Sequence, residues 1–337
     1  MTQRTSYGAA DGLVRVYPAS TATDARAAVP GAGLVWAHGG GFAAGDLDMP
    51  EADWVARSLA ARGVTVVSVD YRLVGDGCRF PAPSDDVIAA WRWTLAHADE
   101  LGIDPGRIAI GGASAGANLV TGAVLRLLGS GGRGAPGEAG RVSRPASDAG
   151  DLDTRGTPRG APRSPEAPGM PAGVFLAYPT LLAVQPAPDA ALRALLDANP
   201  AADRFSPDVV RGMYENFLGG PVDDAPLPAV PGRATPDDVR GFPPTLMING
   251  EADELRVSGE AFAATLADAG VPLELVVEPG TEHGHLNRPD EPAASATIDR
   301  VVRWAAGLDT RPPSSGTPRP PASDHLTTPR TTEGITS

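Results

Sequence analysis

The five residues Gly112-Ala113-Ser114-Ala115-Gly116 constrain this chain more than any other stretch, because they lie between a predicted strand and a predicted helix. Residues 107–111 carry two isoleucines and follow an Asp-Pro-Gly turn signal, which favours a short buried strand. Residues 117–128 carry leucine and valine at helical spacing. Strand, Gly-x-Ser-x-Gly and helix, in this order, are the context of a nucleophile elbow, a tight turn that exposes its serine.

The glycines of this motif have a steric role. In so tight a turn, side chains at Gly112 or Gly116 would strike the neighbouring strand and helix. The turn would also hold Ser114 at strained backbone angles, with its hydroxyl pointing into a cleft. A bare Gly-x-Ser-x-Gly also occurs by chance, as an ordinary glycine-rich turn with a solvated serine. Whether this motif is a nucleophile elbow or an ordinary turn therefore depends on evidence from the rest of the sequence.

Strands and helices alternate on both sides of the motif, which predicts a mostly parallel sheet flanked by helices. The predicted strands are residues 12–17, 33–37, 64–69, 107–111, 173–179, 245–249 and 273–277. The predicted helices are residues 51–62, 85–98, 117–128, 258–269 and 294–306. Residues 187–220 predict a further pair of helices, which we place as a small cap over the edge of the sheet rather than as a crossover between strands.

The core is predicted in two parts, residues 11–128 and 172–308. Between them, residues 129–171 contain no aromatic residue and few large apolar ones, so they cannot bury enough surface to offset their conformational entropy. We therefore expect a disordered insertion there. The same reasoning predicts a disordered tail over residues 309–337, and residues 1–10 are expected to be a flexible N-terminus.

The charge balance argues against several classes of function. The formal net charge is −13 and there is no basic stripe, which argues against binding to nucleic acid or to an anionic membrane surface. All 28 basic residues are arginine, so lysine Schiff-base chemistry and a Walker phosphate loop are excluded. The single Cys78 leaves no internal disulfide or cysteine zinc site. No apolar stretch approaches a membrane span or a signal peptide, so we expect a cytoplasmic protein.

A serine nucleophile needs a base within hydrogen-bond reach and a third group that orients the base. His283 is the predicted base, because it directly follows a late strand, where the order Ser, Asp, His places the histidine. His285 is the alternative. Asp253 is the predicted acid, since it too follows a strand and would lie at the neighbouring strand end. Glu251 and Glu254, in the same loop, are its alternatives.

The run His38-Gly39-Gly40-Gly41-Phe42 follows an early strand, and its glycines would let backbone N–H groups approach a ligand closely. Such groups can bind the oxyanion that forms during acyl transfer. The expected donors are the backbone N–H groups of Gly40, Gly41 and Ala115, and Ala115 is the residue directly after the nucleophile. We expect Gly39 and His38 to support the loop rather than to perform chemistry. A glycine-rich loop can instead cradle phosphate, but here neither a lysine nor Walker spacing supports that function.

Four motifs in this order, His-Gly-Gly-Gly-Phe, Gly-Ala-Ser-Ala-Gly, Asp-Glu-Leu-Arg and His-Gly-His, resemble the hormone-sensitive-lipase-like family of α/β-hydrolases. Val69-Asp70-Tyr71-Arg72-Leu73, Phe80-Pro81-Ala82-Pro83 and Tyr178-Pro179 also look like that family. The resemblance covers residues 33–306 apart from the insertion. It implies an α/β-hydrolase fold and a serine carboxylesterase or lipase-like hydrolase acting on short or medium acyl esters.

The resemblance also implies roles for the candidate residues. Ser114 would attack the ester, His283 would take and return its proton, and Asp253 would orient His283, with no metal or organic cofactor. The chain departs from the family at His285, where an aromatic residue is often found. It also departs before His38, where members usually carry a helical lid of several dozen residues, so we expect a more open site.

Three other functions stay open. An arylformamidase or other amidase would use the same triad and oxyanion hole, so the residues do not separate esters from amides. A non-catalytic ligand receptor is a role some relatives of the fold have taken, usually with loss of the histidine. An interaction protein could work through residues 129–171 and the tail. The expected partner is a small-molecule ester, with no nucleic acid and no membrane span, for a monomer or homodimer.

Overall fold

Eight strands form one sheet in the computed structural model, which describes residues 5–20, 29–131 and 169–308. In chain order the strands are β1 Tyr7–Ala9, β2 Val14–Tyr17, β3 Gly33–Ala37, β4 Thr65–Val69, β5 Ile108–Ala113, β6 Val174–Ala177, β7 Thr245–Ala252 and β8 Leu273–Glu282. Their order across the sheet is β1-β2-β4-β3-β5-β6-β7-β8. The pairs β1–β2 and β2–β4 are antiparallel and the other neighbours are parallel, so the predicted mostly parallel sheet is confirmed.

Helices cover both faces of this sheet. They are α1 Pro50–Ala60, α2 Ala82–Ala96, α3 Ala98–Leu101, α4 Ala115–Gly131, α5 Ala190–Ala198, α6 Pro207–Leu218, α7 Arg256–Asp268 and α8 Pro292–Gly307. Apolar side chains of α2, α4, α6 and α7 share one core cluster, and those of α1 and α8 share a second one. Within the described residues, no helix is long and apolar enough to cross a membrane.

The middle strands are buried along their whole length. Every residue of β3, β4 and β5 is buried, because helices cover both faces of a parallel sheet. The ring of Trp36 on β3 stacks on Phe175 of β6, with 5.3 Å between the ring centroids. Continuous apolar strands of this kind are what the sequence pattern predicts for the centre of the sheet.

Local signals fix the start and the end of α6. The Ser206 hydroxyl accepts a hydrogen bond from the Val209 N–H, and Pro207 occupies the first helical position. Gly219 ends the helix in the left-handed conformation, with φ of 73°. α5 and α6 are the pair of helices that the pattern of residues 187–220 predicts.

Two predictions about chain segments were wrong in part. Tyr7–Ala9 is a strand paired with β2, so this portion of the predicted flexible N-terminus belongs to the sheet, because β2 offers it a free edge. α4 continues to Gly131, so residues 129–131 belong to a helix rather than to the insertion. Of the rest of the insertion, residues 132–168 lie outside the described residues, whereas residues 169–171 are described and precede β6. The tail, 309–337, and residues 1–4 also lie outside the described residues.

The helices α5 and α6 occupy the connection between β6 and β7. Since β6 and β7 are parallel neighbours, this connection has to cross over the sheet. The prediction that the helical pair is not part of a crossover was therefore wrong. The sequence pattern shows helices but contains no information on which strands they join. The description of residues 187–220 as a cap stays a prediction.

Candidate active site

Ser114 lies in the tight turn between β5 and α4. It is a non-glycine residue at φ of 50°, a left-handed conformation that is strained for a side-chain-bearing residue. A Cβ on Gly112 would lie 2.4 Å from the backbone carbon of Gly116, and one on Gly116 would lie 2.2 Å from the Ala37 oxygen. Only glycine fits at either position. The turn therefore has the strained serine and close approach that the strand-elbow-helix pattern predicts.

Ser114 is joined to His283 and Asp253 by two hydrogen bonds. The distance from Ser114 Oγ to His283 Nε2 is 2.9 Å, and that from His283 Nδ1 to Asp253 Oδ2 is 2.8 Å. An ionised carboxylate can only accept, so Nδ1 donates to Asp253 and Nε2 accepts from the serine hydroxyl. Asp253 is fully buried, and Ser114 is 7% exposed.

The strand register explains why His283 and Asp253 meet. On the parallel strands β7 and β8, Ala252 is paired with Glu282. Asp253 directly follows β7 and His283 directly follows β8, so the two residues lie next to each other at the same edge of the sheet. The other carboxylate oxygen of Asp253, Oδ1, accepts a hydrogen bond from the Leu255 N–H at 2.9 Å. Both oxygens of the buried carboxylate are thereby satisfied.

The alternative candidates lie elsewhere in the structure. His285 is buried, and its Nε2 is 2.9 Å from the hydroxyl of Thr297 on α8. The Glu251 carboxylate accepts from the Gly280 N–H at 2.9 Å. The Glu254 carboxylate accepts from the Phe205 N–H, and burial raises the pKa of that carboxyl. The described contacts place none of these three side chains against Ser114 or His283 Nδ1.

The loop after β3 runs beside the elbow. Gly40 and Gly41 have φ of 122° and 60°, and a Cβ on Gly40 would lie 1.9 Å from the Ala44 oxygen. Within the described residues, no hydrogen bond uses the N–H of Gly40 or Gly41. These two donors are therefore available to a ligand. Ala115 begins α4, where the first N–H groups have no partner inside the helix.

His38 and Gly39 hold this loop in place. The His38 ring stacks on Tyr71 with 4.5 Å between centroids, and its Nδ1 is 2.7 Å from the Gly39 oxygen. The Tyr71 hydroxyl donates to the His38 oxygen at 2.8 Å. His38 is thus held between Tyr71 and the loop backbone, and bracing of the loop stays its predicted role.

Two residues of the β6–β7 connection lie over the site, and the sequence analysis did not identify them. The Phe205 ring meets His283 edge-on, with centroids 4.6 Å apart. The sulfur of Met213 on α6 lies only 3.2 Å from where a Cβ of Gly41 would be. Asn118 joins this connection to the elbow, since its side-chain amide donates to the Tyr214 hydroxyl at 2.8 Å. In the sequence, Met213 is marked only by its place on the apolar face of a helix, and Phe205, which precedes that helix, carries no such signal.

Burial sets the charge of the groups around His283. It raises the pKa of Tyr178 well above its ordinary value, with help from the Glu51 carboxylate, so the phenol stays a neutral donor. Burial, together with the Arg288 guanidinium, lowers the pKa of His285 to about 4, so that imidazole is neutral at pH 7. Among the described residues, no group of three or more His, Cys, Asp or Glu side chains is arranged to hold a metal ion.

The chain is similar to a family model and to several known proteins. A family model for the alpha/beta hydrolase fold matches residues 34–287. Carboxylesterase NlhH of Mycobacterium tuberculosis is 35% identical over 260 residues, which are 75% of this chain and 66% of that protein. The ethyl acetate hydrolase of Pseudomonas putida is 32% identical over 265 residues, 76% of this chain and 66% of that protein.

Solved structures agree with these sequence matches. Esterase LipW from Mycobacterium marinum is 26% identical with a TM-score of 0.64, covering 90% of this chain and 80% of that one. The chain spans 66% of the length of each of the two curated relatives above. From the family match, the sheet and the four motifs, we conclude that the chain belongs to the α/β-hydrolase fold family, in its hormone-sensitive-lipase-like branch.

Proposed function

We propose that the protein is a serine carboxylesterase that hydrolyses short- to medium-chain esters through an acyl-enzyme on Ser114. One observation carries the proposal: hydrogen bonds run without a break from Ser114 Oγ through His283 to Asp253. This is the arrangement that makes a weak hydroxyl nucleophile reactive. The similarity to proteins named carboxylesterase and ethyl acetate hydrolase supports the same class of reaction.

Acylation follows from this geometry. Ser114 Oγ attacks the carbonyl carbon of the ester while His283 Nε2 takes the hydroxyl proton, and Asp253 stabilises the resulting imidazolium through Nδ1. The carbonyl oxygen becomes an oxyanion, which we assign to the N–H groups of Gly40, Gly41 and Ala115. When the tetrahedral intermediate collapses, its bond to the alcohol oxygen breaks. The alcohol leaves with the proton from His283, and the acyl group stays on Ser114.

Deacylation repeats these steps with water. A water molecule attacks the acyl carbon, and His283 takes one of its protons. The second intermediate expels Ser114 Oγ, which regains the proton from His283, and the carboxylic acid is released. The chain's own residues supply each proton transfer, so the proposed reaction uses no cofactor.

A limited acyl pocket fits the residues above the site. Phe205 lies against His283, and Met213 lies against Gly41, so both flank the position of a bound ester. Large apolar side chains this close to the reacting atoms restrict the space for a long acyl chain. This is why we propose short to medium acyl groups.

The test is hydrolysis of p-nitrophenyl esters from acetyl to long acyl chains, with Ser114→Ala as the control. We expect turnover by the wild type that declines with chain length and disappears in Ser114→Ala, whose circular dichroism should stay that of the wild type. His283→Ala should lose about 10³-fold or more in rate. The p-nitroanilides of the same acyl groups are measured in parallel. Hydrolysis by Ser114→Ala, or turnover of anilides but not esters, would contradict the proposal.

A further inference from the structure

Glu51 is a buried carboxylate that the proposed mechanism does not use. It lies in the first turn of α1 and is 1% exposed. Its Oε1 accepts a hydrogen bond from the Gly39 N–H at 2.5 Å. Its Oε2 accepts from the Tyr178 hydroxyl at 2.5 Å and from the Asn287 side-chain amide at 3.1 Å. All three donors are neutral groups.

The three donors come from three different loops of the site. Gly39 directly precedes Gly40 and Gly41, whose N–H groups have no acceptor in the part of the chain that the structure describes. Tyr178 follows β6, and its ring meets His283 edge-on with 5.1 Å between centroids. Asn287 lies in the short 3₁₀ turn that follows His283, and its Oδ1 also accepts from the Glu51 N–H at 3.2 Å. One carboxylate therefore links the glycine loop to the loop that carries the proposed base.

Gly39 itself is packed between this carboxylate and the nucleophile. A Cβ on Gly39 would lie 2.6 Å from Glu51 Oε1 and 3.1 Å from the Cβ of Ser114. The orientation of the peptide between His38 and Gly39 is thus fixed by Glu51 on one side and limited by Ser114 on the other. A shift of the carboxylate would move the start of the glycine loop relative to Ser114.

The charge on Glu51 gives these contacts their strength. Hydrogen bonds to an ionised acceptor are shorter and stronger than bonds between neutral groups. A carboxylate is costly to bury without such partners, and an apolar side chain of similar size would pack α1 without that cost. Packing of α1 alone therefore does not account for a charged residue here, whereas the need to hold three loops in one geometry does.

We propose that Glu51 is a positioning residue that sets the glycine loop, and with it the N–H groups of Gly40 and Gly41, relative to Ser114 and His283. The inference rests on the proposed function, because it assigns the loop to oxyanion binding. Glu51 acts through Gly39, Tyr178 and Asn287 and does not touch the substrate. Its loss should therefore weaken stabilisation of the transition state more than binding of the substrate.

The test is Glu51→Gln, which keeps the shape but removes the charge. For p-nitrophenyl acetate we expect kcat to fall by about tenfold to a hundredfold, less than outright loss of one oxyanion donor, with KM within about threefold. The second substrate is p-nitrophenyl thionoacetate, whose sulfur anion accepts weaker hydrogen bonds. The preference for the oxygen ester in kcat/KM should fall in Glu51→Gln, because that preference depends on aligned N–H donors.

Trp36→Phe is the matched control for a merely structural effect. The Trp36 indole donates to the backbone oxygen of Glu51 at 2.9 Å, so this variant loosens α1 and leaves the carboxylate in place. It should lower Tm without changing the preference for the oxygen ester. Asn287→Ala, which removes one donor to Glu51 Oε2, should lower the preference in the same direction and decides the question if Glu51→Gln does not fold.

These measurements distinguish failure of the Glu51 proposal from failure of the proposed function. An active wild type whose preference for the oxygen ester is unchanged in Glu51→Gln and in Asn287→Ala would overturn the role of Glu51 and leave the proposed function intact. A wild type with no Ser114-dependent ester hydrolysis would overturn the proposed function, and the role of Glu51 in it.

Discussion

Gly116 lies so close to Ala37 that a Cβ on the glycine would be 2.2 Å from the alanine carbonyl oxygen. The same Cβ would be 2.3 Å from the His38 oxygen. Both oxygens belong to the backbone at the carboxyl end of β3, in the middle of the sheet. They cannot rotate away as the end of a flexible side chain would. The first turn of α4 can therefore pack against β3 only because residue 116 has no side chain.

Gly116→Ala should consequently destabilise the fold. We expect the free energy of unfolding to fall by at least about 1–3 kcal/mol, the usual cost of forcing extra atoms into a packed core. Urea unfolding followed by circular dichroism measures it. The matched control is Gly212→Ala in α6, where nothing lies within 4 Å of the added Cβ. That variant should gain roughly 0.5–1 kcal/mol from helix propensity. Equal stability of the two variants would contradict the steric argument.

Asp253→Asn tests the acid of the proposed triad. The amide keeps the size of the side chain, but it removes the charge that holds the Nδ1 proton of His283 in place. We expect kcat for p-nitrophenyl acetate to fall by about 10³- to 10⁴-fold, as loss of the orienting carboxylate misplaces the imidazole proton. Tm should change much less than kcat.

The controls for this variant are the two neighbouring glutamates. Glu251→Gln alters a carboxylate that accepts from the Gly280 N–H, and Glu254→Gln alters one that accepts from the Phe205 N–H. Because neither carboxylate reaches His283 Nδ1, each control should retain kcat within about tenfold of the wild type. A loss in Glu251→Gln as large as that in Asp253→Asn would reassign the acid.

Met213 gives a prediction about substrate size. Its sulfur lies beside Gly41, next to the position proposed for the carbonyl oxygen of the ester. Met213→Ala should raise kcat/KM for the octanoate relative to the acetate ester, by roughly 15- to 60-fold if two or three methylenes become buried. Asn216→Ala, an exposed position on the same helix, should leave the ratio unchanged. A ratio unaffected by Met213→Ala would place the acyl group elsewhere.

The central sheet could be predicted from the sequence because its strands are uniformly apolar. β3 has the predicted bounds, Gly33–Ala37, since a strand buried on both faces ends where the apolar run ends. β1 could not be predicted in this way. Tyr7 and Gly8 are exposed, so only pairing with β2 identifies the strand. The crossover that contains α5 and α6 depends on strand order, which no local pattern encodes.

In the candidate site, too, some residues could be predicted from local sequence patterns and others could not. Ser114, Asp253 and His283 could be nominated because each lies in a recognisable motif directly after a strand. Glu51 could not. Its donors Gly39, Tyr178 and Asn287 are 12, 127 and 236 residues away, and only the folded sheet brings them together. In the sequence, an acidic residue in the first turn of an amphipathic helix looks like an ordinary charge near the helix N-terminus.

His285 should make the stability of the protein depend on pH. Burial lowers the pKa of this imidazole from 6.5 to about 4, with a smaller contribution from the Arg288 guanidinium. As the pH falls from 6.5 to 4, the unfolded chain binds a proton that the folded chain does not. The contribution of His285 to the free energy of unfolding is therefore fully present above pH 6.5. It is lost progressively as the pH falls toward 4, by about 3 kcal/mol at most.

Comparison with His285→Gln isolates this contribution, because Gln does not titrate and other groups titrate alike in both proteins. We would measure urea unfolding of the two proteins at pH 7 and at pH 4.5. The wild type should lose about 2 kcal/mol more than the variant between these values. The variant's lower stability at pH 7, from the changed contact with Thr297, cancels in the difference. Equal losses in the two proteins would mean that His285 binds its proton equally well in the folded and unfolded chains.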